Sequence, residues 1–353
     1  MPEDVKVGII TKYRGPHLSY YMKSLAIAKG VKQVVLTDPS GEHFPQAEEL
    51  LRGRFPELKT YKDYSEMLST EKPDMVLVTI EAHMAPVRIQ AALESGAHVM
   101  CEKPSCTRAE DFEKLVKLAD SKNLCLMLAM ANRFAPPVQK AKELVSSGAL
   151  GKLYSADFFL ISDQTRLTRP SYQKSWTVKK AQSGGGHLTW LGIHWLDLVH
   201  YITGDRVQQV SGFARNVGGQ PVETEDAETV SLQFKSGMVG TFHGGYYLPA
   251  GSMQSGFSIW GSKGWLRIRS HRGLEGSTSS FEWHSTHEKA PEGVQAEEPI
   301  SETGGYEGFV QAAVDAARGV KPVPLTAEDS LAVLKVIFAA YRSSESGRAE
   351  KVE

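Results

Sequence analysis

The apolar residues of the first 130 positions fall into short runs separated by longer stretches with helical spacing. The runs have strand length and cover residues 5–10, 31–37, 75–80, 97–101 and 124–130. The intervening stretches 17–29, 85–95 and 111–121 repeat apolar residues three and four positions apart, as amphipathic helices do. This alternation predicts a doubly wound parallel sheet, whose strands all end on the same edge.

The pattern changes after the segment Asn132-Arg133-Phe134 and the pair Pro136-Pro137. A helix is expected over 138–147, and candidate strands then follow at 153–161, 207–215, 228–235, 238–247, 256–260 and 265–269. We therefore expect an α/β chain with an N-terminal Rossmann-like domain, 1–130, and a C-terminal α+β domain, 131–353. The polar stretch 288–302 is expected to be a loop, and 330–343 a structural helix.

The second domain is expected to hold a large, open, mostly antiparallel sheet with helices on one face. The predicted helices are too few to cover the other face, so a partner subunit is expected there. The pattern thus predicts a homodimer or homotetramer that assembles through the C-terminal sheet.

Composition and charge argue against several classes of function. The chain has 353 residues with 40 basic and 41 acidic side chains, so its formal net charge is −1. This balance gives no electrostatic basis for binding nucleic acid or an anionic membrane, and no apolar run approaches the roughly 20 residues of a membrane span. Three cysteines and an acidic N-terminus without a signal-peptide core favour the cytoplasm. No Cys/His spacing indicates a metal site.

The run 97–101 ends in Glu102-Lys103-Pro104. Proline cannot extend the strand ladder, so the strand stops and Lys103 lies at its carboxyl end. Open parallel sheets bind their ligands at this edge. A surface Glu–Lys pair before a turn is the alternative explanation.

The first strand–turn–helix is the expected position of a dinucleotide pyrophosphate. Its turn contains only Gly15, which is weak support for a glycine fingerprint. Lys12 and Arg14 are candidates to replace backbone contacts to phosphate. Asp38 follows the second strand at about the distance of a ribose-binding carboxylate. It is equally well explained as a turn-initiating aspartate in Asp-Pro-Ser.

A second chemical stretch runs from Ser183 to Asp197 and opens with Gly184-Gly185-Gly186. At about 100° per residue, the helix after the glycines carries two adjacent stripes. The first is apolar and consists of Leu188, Leu191, Trp195, Leu198 and Ile202. The second, within roughly 80°, consists of His187, Trp190, His194, Asp197 and Tyr201. Polar groups on one face indicate a site, and a satisfied polar patch at the domain boundary is the alternative.

With both stretches considered, the chain resembles the glucose–fructose oxidoreductase/inositol dehydrogenase (Gfo/Idh/MocA) family along nearly its whole length. The resemblance implies an N-terminal Rossmann domain and a C-terminal α/β domain often used for oligomerisation. It also implies NAD or NADP, and oxidation or reduction of a sugar, cyclitol or related polyol. Lys103 matches the family's catalytic lysine, and His194 matches its active-site histidine. Cofactor contacts are expected from Thr11, Lys12, Tyr13, Arg14, Asp38, Thr79, Glu102, Lys103 and Asn132.

Two positions depart from the family pattern. The glycine fingerprint is degraded at Thr11 and Tyr13, and Trp190 stands where the family commonly has an aspartate that serves proton transfer. His187 is expected to take over part of that role, and Asp197 to orient His194. A negative Asp38 favours NAD over NADP, because a carboxylate repels a 2′-phosphate.

Oxidation of a secondary alcohol needs a base for the hydroxyl proton, and a buried lysine beside a positive nicotinamide suits this role. Lys103 is therefore the expected base, with His194 as a relay. Aromatic rings at Tyr172, Trp176 and Trp190 suit the C–H face of a sugar, with ordinary packing as the alternative. The expected substrate contacts are Lys103, Asp163, Tyr172, Trp176, His187, Trp190 and His194.

Three functions remain open on this basis. The first is an NAD(P)-dependent dehydrogenase of sugars, glycosides or cyclitols. The second is a redox-neutral enzyme that retains NAD and cleaves a glycosidic bond after transient oxidation. The third is a non-catalytic dinucleotide sensor, against which Lys103 and His194 both argue.

Overall fold

The computed structural model describes residues 3–12, 15–273, 276–297 and 305–353. Strands and helices alternate in its first 130 residues. The strands are β1 (Val5–Thr11), β2 (Val31–Thr37), β3 (Lys59–Tyr61), β4 (Met75–Thr79), β5 (His98–Cys101) and β6 (Leu126–Leu128). The helices are α1 (Leu18–Ile27), α2 (Phe44–Leu51), α3 (Tyr64–Glu71), α4 (Ala85–Glu94) and α5 (Ala109–Ser121).

The following part of the chain, up to residue 297, is mostly β. Its helices are α6 (Pro136–Ser146), α7 (Thr165–Thr168), α8 (Pro170–Gln173), α9 (Lys180–Ser183) and α10 (Ile193–Thr203). Its first four strands are β7 (Leu153–Asp163), β8 (Val207–Arg215), β9 (Ala227–Phe234) and β10 (Val239–Leu248). The next four are β11 (Met253–Gly261), β12 (Gly264–Gly273), β13 (Gly276–Ser285) and β14 (Val294–Glu297). The C-terminal part contains α11 (Tyr306–Ala317), α12 (Ala327–Ser346) and β15 (Glu350–Lys351).

The first sheet is parallel, with strand order β3-β2-β1-β4-β5-β6. All five residues of β4 are buried, as expected for a strand covered by helices on both faces. Thr11 pairs with Thr79, and Val78 with Cys101, so the ends of β1, β4 and β5 lie side by side. The predicted doubly wound Rossmann sheet is confirmed.

The second sheet has the order β14-β13-β12-β11-β7-β10-β9-β8-β15. The pair β7–β10 is parallel, and the other neighbouring strands are antiparallel. In β9, Val230, Leu232 and Phe234 are buried while Thr229, Ser231 and Gln233 are exposed. The predicted large, mostly antiparallel sheet is therefore confirmed, with one face covered and one face open.

The edge strand β14 lies inside the stretch that the sequence pattern predicts to be a loop. Its alternating, polar residues carry little hydrophobic signal, and main-chain pairing with β13 supplies the order. Residues 298–302 of that predicted loop lie outside the described residues.

The chain forms two compact units, Met1–Phe134 with Gly304–Leu331, and Ala135–Thr303 with Ala332–Glu353. This division differs from the expected single crossing at 130/131, because the chain returns to the first unit. The returning helix α11 packs on α1, where the Gln311 side chain bonds the backbone of Lys29 at 2.7 and 3.1 Å. A Cβ on Gly305 would lie 2.0 Å from the Ala131 carbonyl oxygen. Such tertiary contacts have no signature in local hydrophobic periodicity.

Candidate active site

The turn after β1 is held tightly against the end of β4. The Thr11 hydroxyl donates to the Thr79 carbonyl at 3.0 Å, and the Thr79 hydroxyl donates to the Pro16 carbonyl at 2.5 Å. A Cβ on Gly15 would lie 2.2 Å from Thr11 Oγ1, so a larger residue there would displace the turn. Thr11 and Thr79 are both buried, and their hydroxyls shape the turn that precedes α1.

The basic residues of this turn are only partly described. Lys12 Nζ lies 3.0 Å from Glu81 Oε1, so the ammonium group already has a carboxylate partner. Tyr13 and Arg14, two of the expected cofactor contacts, lie outside the described residues. A phosphate would therefore compete with Glu81 for Lys12.

Asp38 is fully buried at the end of β2, and both of its carboxylate oxygens are engaged by its own loop. Oδ1 accepts from the Ser40 backbone N–H at 3.0 Å and from the Ser40 hydroxyl at 2.8 Å. Oδ2 accepts from the His43 backbone N–H at 3.0 Å and lies 2.9 Å from His43 Nδ1. Burial raises the pKa of Asp38, but these bonds from His43 and Ser40 hold it below its usual value. The contacts with Ser40 and His43 use all four acceptor positions of the carboxylate, as expected if Asp38 initiates the turn.

Glu102 and Lys103 follow β5 and are both buried, with Lys103 only 4% exposed. The Tyr21 hydroxyl donates to Glu102 Oε2, and His17 Nδ1 lies 3.2 Å from Glu102 Oε1. Burial alone would raise the pKa of Glu102, but His17, Lys103 and Tyr21 hold it below its ordinary value. The resulting carboxylate is a fixed negative charge beside the lysine.

Asn132 lies in a 3₁₀ turn, Ala131–Phe134, and is exposed. Its neighbour Arg133 is buried and donates from Nη1 to the Pro324 carbonyl at 3.3 Å. The turn is thus anchored through Arg133, which leaves Asn132 on the surface of the first unit.

In the second unit, the three glycines allow Glu225 to cap the start of the helix that covers residues 188–203. Its carboxylate accepts from the backbone N–H groups of Gly186 at 2.7 Å and Leu188 at 3.0 Å, and from the Tyr341 hydroxyl at 2.7 Å. A Cβ on Gly186 would lie 2.0 Å from the Glu225 carbonyl oxygen, and one on Gly185 would lie 2.0 Å from Tyr341 Oη. The glycines are required for this close packing.

The helix begins with a π-helical turn, Leu188–Gly192, before α10 continues it. A π turn rotates each residue by less than 100°, so the two stripes expected from a regular helix are offset. Leu188 and Leu198 are buried as expected, but Leu191 and Trp195 are only half-buried. Single π turns occur often at functional sites.

His187 is fully buried and pairs with Glu228 of β9, Nδ1 to Oε1, at 2.5 Å. The ring packs edge-on against Tyr246, with centroids 4.8 Å apart. A Cβ on Gly244 would lie 2.4 Å from Glu228 Oε1 and 2.8 Å from His187 Cε1, so only glycine fits there. His187 is therefore enclosed within the second unit, where it contacts Glu228 and Tyr246.

His194 is half-buried, and Asp197, one turn later, is 1% exposed. Between them, Trp195 donates from Nε1 to the Phe159 carbonyl at 2.6 Å, which fixes α10 on β7. Of the expected histidine pair, His194 is therefore the one whose side chain reaches the surface of the second unit.

Trp190 is buried and forms an edge-on pair with Trp176, centroids 5.0 Å apart. Tyr172 lies on the same segment, with the guanidinium of Arg166 5.9 Å from its ring centroid and 5.6 Å from that of Tyr246. The structure thus brings Trp176 and Trp190 together, and it places the Tyr172 ring beside Arg166. Arg166 is a candidate functional residue that the sequence patterns did not single out.

Asp163 ends β7 and is half-buried. Its Oδ1 accepts from the Thr165 N–H at 2.6 Å and its Oδ2 from the Gly251 N–H at 2.8 Å. Burial acts to raise the pKa of Asp163, but the bonds from Thr165 and Gly251 lower it overall. Asp163 therefore ties two loops together.

The described residues were searched for a metal site and for a membrane-spanning helix. No group of three or more His, Cys, Asp or Glu side chains among them is arranged to hold a metal ion. No helix in the described ranges is long and apolar enough to cross a membrane.

Comparison with known proteins identifies the family. Residues 7–130 match the model of the oxidoreductase family with an NAD-binding Rossmann fold, and residues 138–267 match the GFO/IDH/MocA C-terminal domain. The chain therefore belongs to the Gfo/Idh/MocA family of oxidoreductases, and its first unit is an NAD-binding Rossmann domain.

The chain is similar to the following three proteins, among others. A 1,5-anhydro-D-fructose reductase of Ensifer adhaerens is 22% identical over 295 residues, which is 84% of each chain. A D-glucoside 3-dehydrogenase of Escherichia coli is 30% identical over 190 residues, 53% of this chain and 50% of that protein. The structure of an aldose-aldose oxidoreductase from Caulobacter crescentus, complexed with glycerol, superposes with a TM-score of 0.80 at 22% identity, covering 99% and 100% of the two chains.

In the first unit, the residues expected near the pyrophosphate of a dinucleotide fit that group more clearly than the residue expected near its ribose. The close approach at Gly15, and the N-terminus of the ten-residue helix α1, suit a pyrophosphate. At the ribose end, the Asp38 carboxylate is saturated by Ser40 and His43. Its negative charge remains at the end of β2, while its acceptor positions are already used.

Proposed function

We propose that this protein transfers a hydride between a nicotinamide and a secondary alcohol or ketone of a sugar, glycoside or cyclitol. One observation carries the proposal: Lys103 is a buried lysine two positions after an interior strand of an NAD-binding sheet, beside the charged Glu102. A buried amine at this edge is suited to proton transfer at a bound hydroxyl. The sugar-active relatives, the reductase of Ensifer adhaerens and the dehydrogenase of Escherichia coli, support the substrate class.

The proposed roles follow from each residue's surroundings. In the oxidation direction, Lys103 Nζ takes the proton from the substrate hydroxyl, and Glu102 compensates the positive charge that results. NAD, when bound, would supply the acceptor for the hydride of the carbinol carbon. On the second unit, His194 donates a hydrogen bond to the substrate, and Trp190 and Trp176 present apolar rings to the C–H face of the sugar. His187, paired with Glu228, orients this helix.

We propose NAD as the preferred cofactor, because Asp38 is ionised at neutral pH and its charge opposes a 2′-phosphate. We also propose a cytoplasmic location, which agrees with free thiols at Cys101, Cys106 and Cys125. The open face of the second sheet is proposed to pack against another copy of the chain. On that face Phe213 and Val239 are 66% and 56% exposed.

The function is tested by mixing purified enzyme with NAD and a panel of neutral and acidic sugars, methyl glycosides and cyclitols. Absorbance at the wavelength of reduced nicotinamide should rise in proportion to product formed. Mass spectrometry of the native protein shows whether nucleotide is retained. Product without net reduced nicotinamide would indicate the redox-neutral alternative, and the absence of any product would indicate a sensor.

A further inference from the structure

The segment that follows β7 carries an unusual concentration of positive charge. Residues 162–183 contain five basic side chains, Arg166, Arg169, Lys174, Lys179 and Lys180, and one acidic side chain, Asp163. The whole chain, in contrast, has a formal net charge of −1. The two carboxylate oxygens of Asp163 accept from backbone N–H groups, and the charge of Arg169 also acts on this carboxylate. Lys180 pairs with Glu345 at 2.7 Å. Clustered charge of one sign attracts ligands of the opposite sign.

Arg166 is the member of this cluster that is held in place. Its guanidinium carbon lies within 6 Å of two ring centroids, 5.9 Å from Tyr172 and 5.6 Å from Tyr246. Its Nη1 donates to the Tyr246 hydroxyl at 3.4 Å. Both of these contacts are to tyrosine side chains, and among the described residues no ion pair to a carboxylate is found for Arg166. A half-buried, oriented cation of this kind is ready to pair with an anion.

The position of Arg166 connects it to the proposed substrate region. Tyr246 packs against His187, at the start of the helix that carries His194. Tyr172 lies four residues before Trp176, which packs against Trp190. Arg166 is therefore held by Tyr246, which contacts the start of that helix, and its planar fork suits the two oxygens of a carboxylate or phosphate.

We propose that Arg166 is a specificity-determining residue that binds an anionic group of the substrate, so that the preferred substrates are sugar acids or sugar phosphates. This inference rests on the proposed function and narrows its substrate class. The tyrosine pair holds the guanidinium, and the other basic residues of segment 162–183 add to the positive charge of that segment.

The test compares binding and turnover for ligands that differ in charge. Methyl α-D-glucoside, D-glucuronate and D-glucose 6-phosphate are titrated into the NAD-loaded enzyme by calorimetry and assayed for reduced nicotinamide. The variants are Arg166→Gln, Arg166→Lys and, as a charge-matched control on the same segment, Lys174→Gln, whose side chain is exposed. Thermal unfolding of each variant establishes that it is folded.

We expect the wild type to bind an acidic sugar more tightly than the neutral glucoside. Arg166→Gln should weaken binding of the anionic ligand about 10- to 100-fold, the range for one charge-assisted pair, and change the neutral ligand less than about 3-fold. Arg166→Lys should give an intermediate loss, because it keeps the charge without the fork. Lys174→Gln should have a small effect that salt suppresses. Comparison of D-glucuronate with D-glucose 6-phosphate shows whether Arg166 binds a carboxylate or a phosphate more tightly.

Equal weakening of neutral and anionic ligands in Arg166→Gln, or no weakening of the anionic ligand, would overturn the proposal and leave the proposed function standing. If Arg166 governs anion binding but no sugar is oxidised or reduced, the proposed function fails and the anion subsite stands. If Arg166→Gln does not fold, the ratio of anionic to neutral binding in Arg166→Lys decides the question alone.

Discussion

The indole of Trp176 packs edge-on against that of Trp190, with ring centroids 5.0 Å apart and an interplanar angle of 69°. The resemblance to the family predicts an aspartate at position 190, so we expect this aromatic contact to take the place of a proton-transfer group. This contact joins the segment after β7 to the helix that carries His194.

Changing Trp190 to aspartate should therefore weaken substrate binding and reduce stability. The substitution removes the ring pair and places a carboxylate at a site that is 7% exposed. The Michaelis constant should rise several-fold, and any remaining activity should show a pH–rate profile shifted upward, because a carboxylate one turn before His194 favours its charged form. Trp190→Phe is the matched control and should retain most binding. Unchanged affinity and an unshifted profile in the aspartate variant would place Trp190 outside the site.

Glu225, which caps the helix that covers residues 188–203, should make stability depend on pH. Burial, with the nearby Glu228 charge, raises the pKa of Glu225 to about 7 from its ordinary 4.5. Below about pH 4.5 the group is protonated in both the folded and the unfolded chain. As the pH rises from there to about 7, only the unfolded chain releases the proton, so the free energy of unfolding falls by up to ~1.4 kcal/mol per pH unit.

Urea denaturation between pH 5 and 8 measures this effect. Glu225→Gln should show a flatter pH dependence than the wild type, whereas Glu345→Gln, at an exposed carboxylate, should follow the wild type. The interpretation fails if wild type and Glu225→Gln show the same slope.

From the loop after β2 we predict that the protein prefers NAD and that Asp38 stabilises the fold. Calorimetry should give tighter binding of NAD than of NADP. Asp38→Asn should lower the melting temperature, because the new amide group faces N–H donors of Ser40 and His43, a loss of roughly 1–3 kcal/mol. Equal or tighter binding of NADP contradicts the cofactor assignment. A large loss of NAD affinity with an unchanged melting temperature would show that Asp38 binds the ribose directly.

The open face of the second sheet predicts a homo-oligomer. Light scattering at micromolar concentration should give a dimer or tetramer, and Phe213→Asp together with Val239→Lys should shift it toward the monomer by placing charges on that face. Thr168→Asp, at an exposed position away from the sheet, is the control. A monomeric wild type would refute the prediction.

Much of the first unit could be predicted from local patterns. The strands of a parallel sheet are continuous apolar runs, and Glu102-Lys103-Pro104 ends one of them, so the position of Lys103 at the strand's carboxyl end follows from residues within a few positions. Its burial is seen only in the fold. The same reasoning left the role of Asp38 open. Its partners Ser40 and His43 were visible two and five residues later, but only the fold shows that they fill both carboxylate oxygens.

The second unit was less predictable for two physical reasons. The π turn at Leu188–Gly192 changes the rotation per residue, which a regular helical wheel cannot represent. In addition, the decisive contacts join distant residues: His187 meets Glu228, and Arg166 meets Tyr246, 80 positions away. Periodicity identifies which faces are apolar, but it does not identify which buried polar groups become partners.

The central claim is that Lys103 moves the proton in a nicotinamide-linked oxidation. Lys103→Met keeps a similar side-chain volume in a buried position and removes the amine. Turnover of the best sugar substrate should fall about 10²- to 10⁴-fold, the usual contribution of a general base, while calorimetry should show NAD affinity within a few-fold of the wild type. Turnover that stays within a few-fold of the wild type would contradict the account.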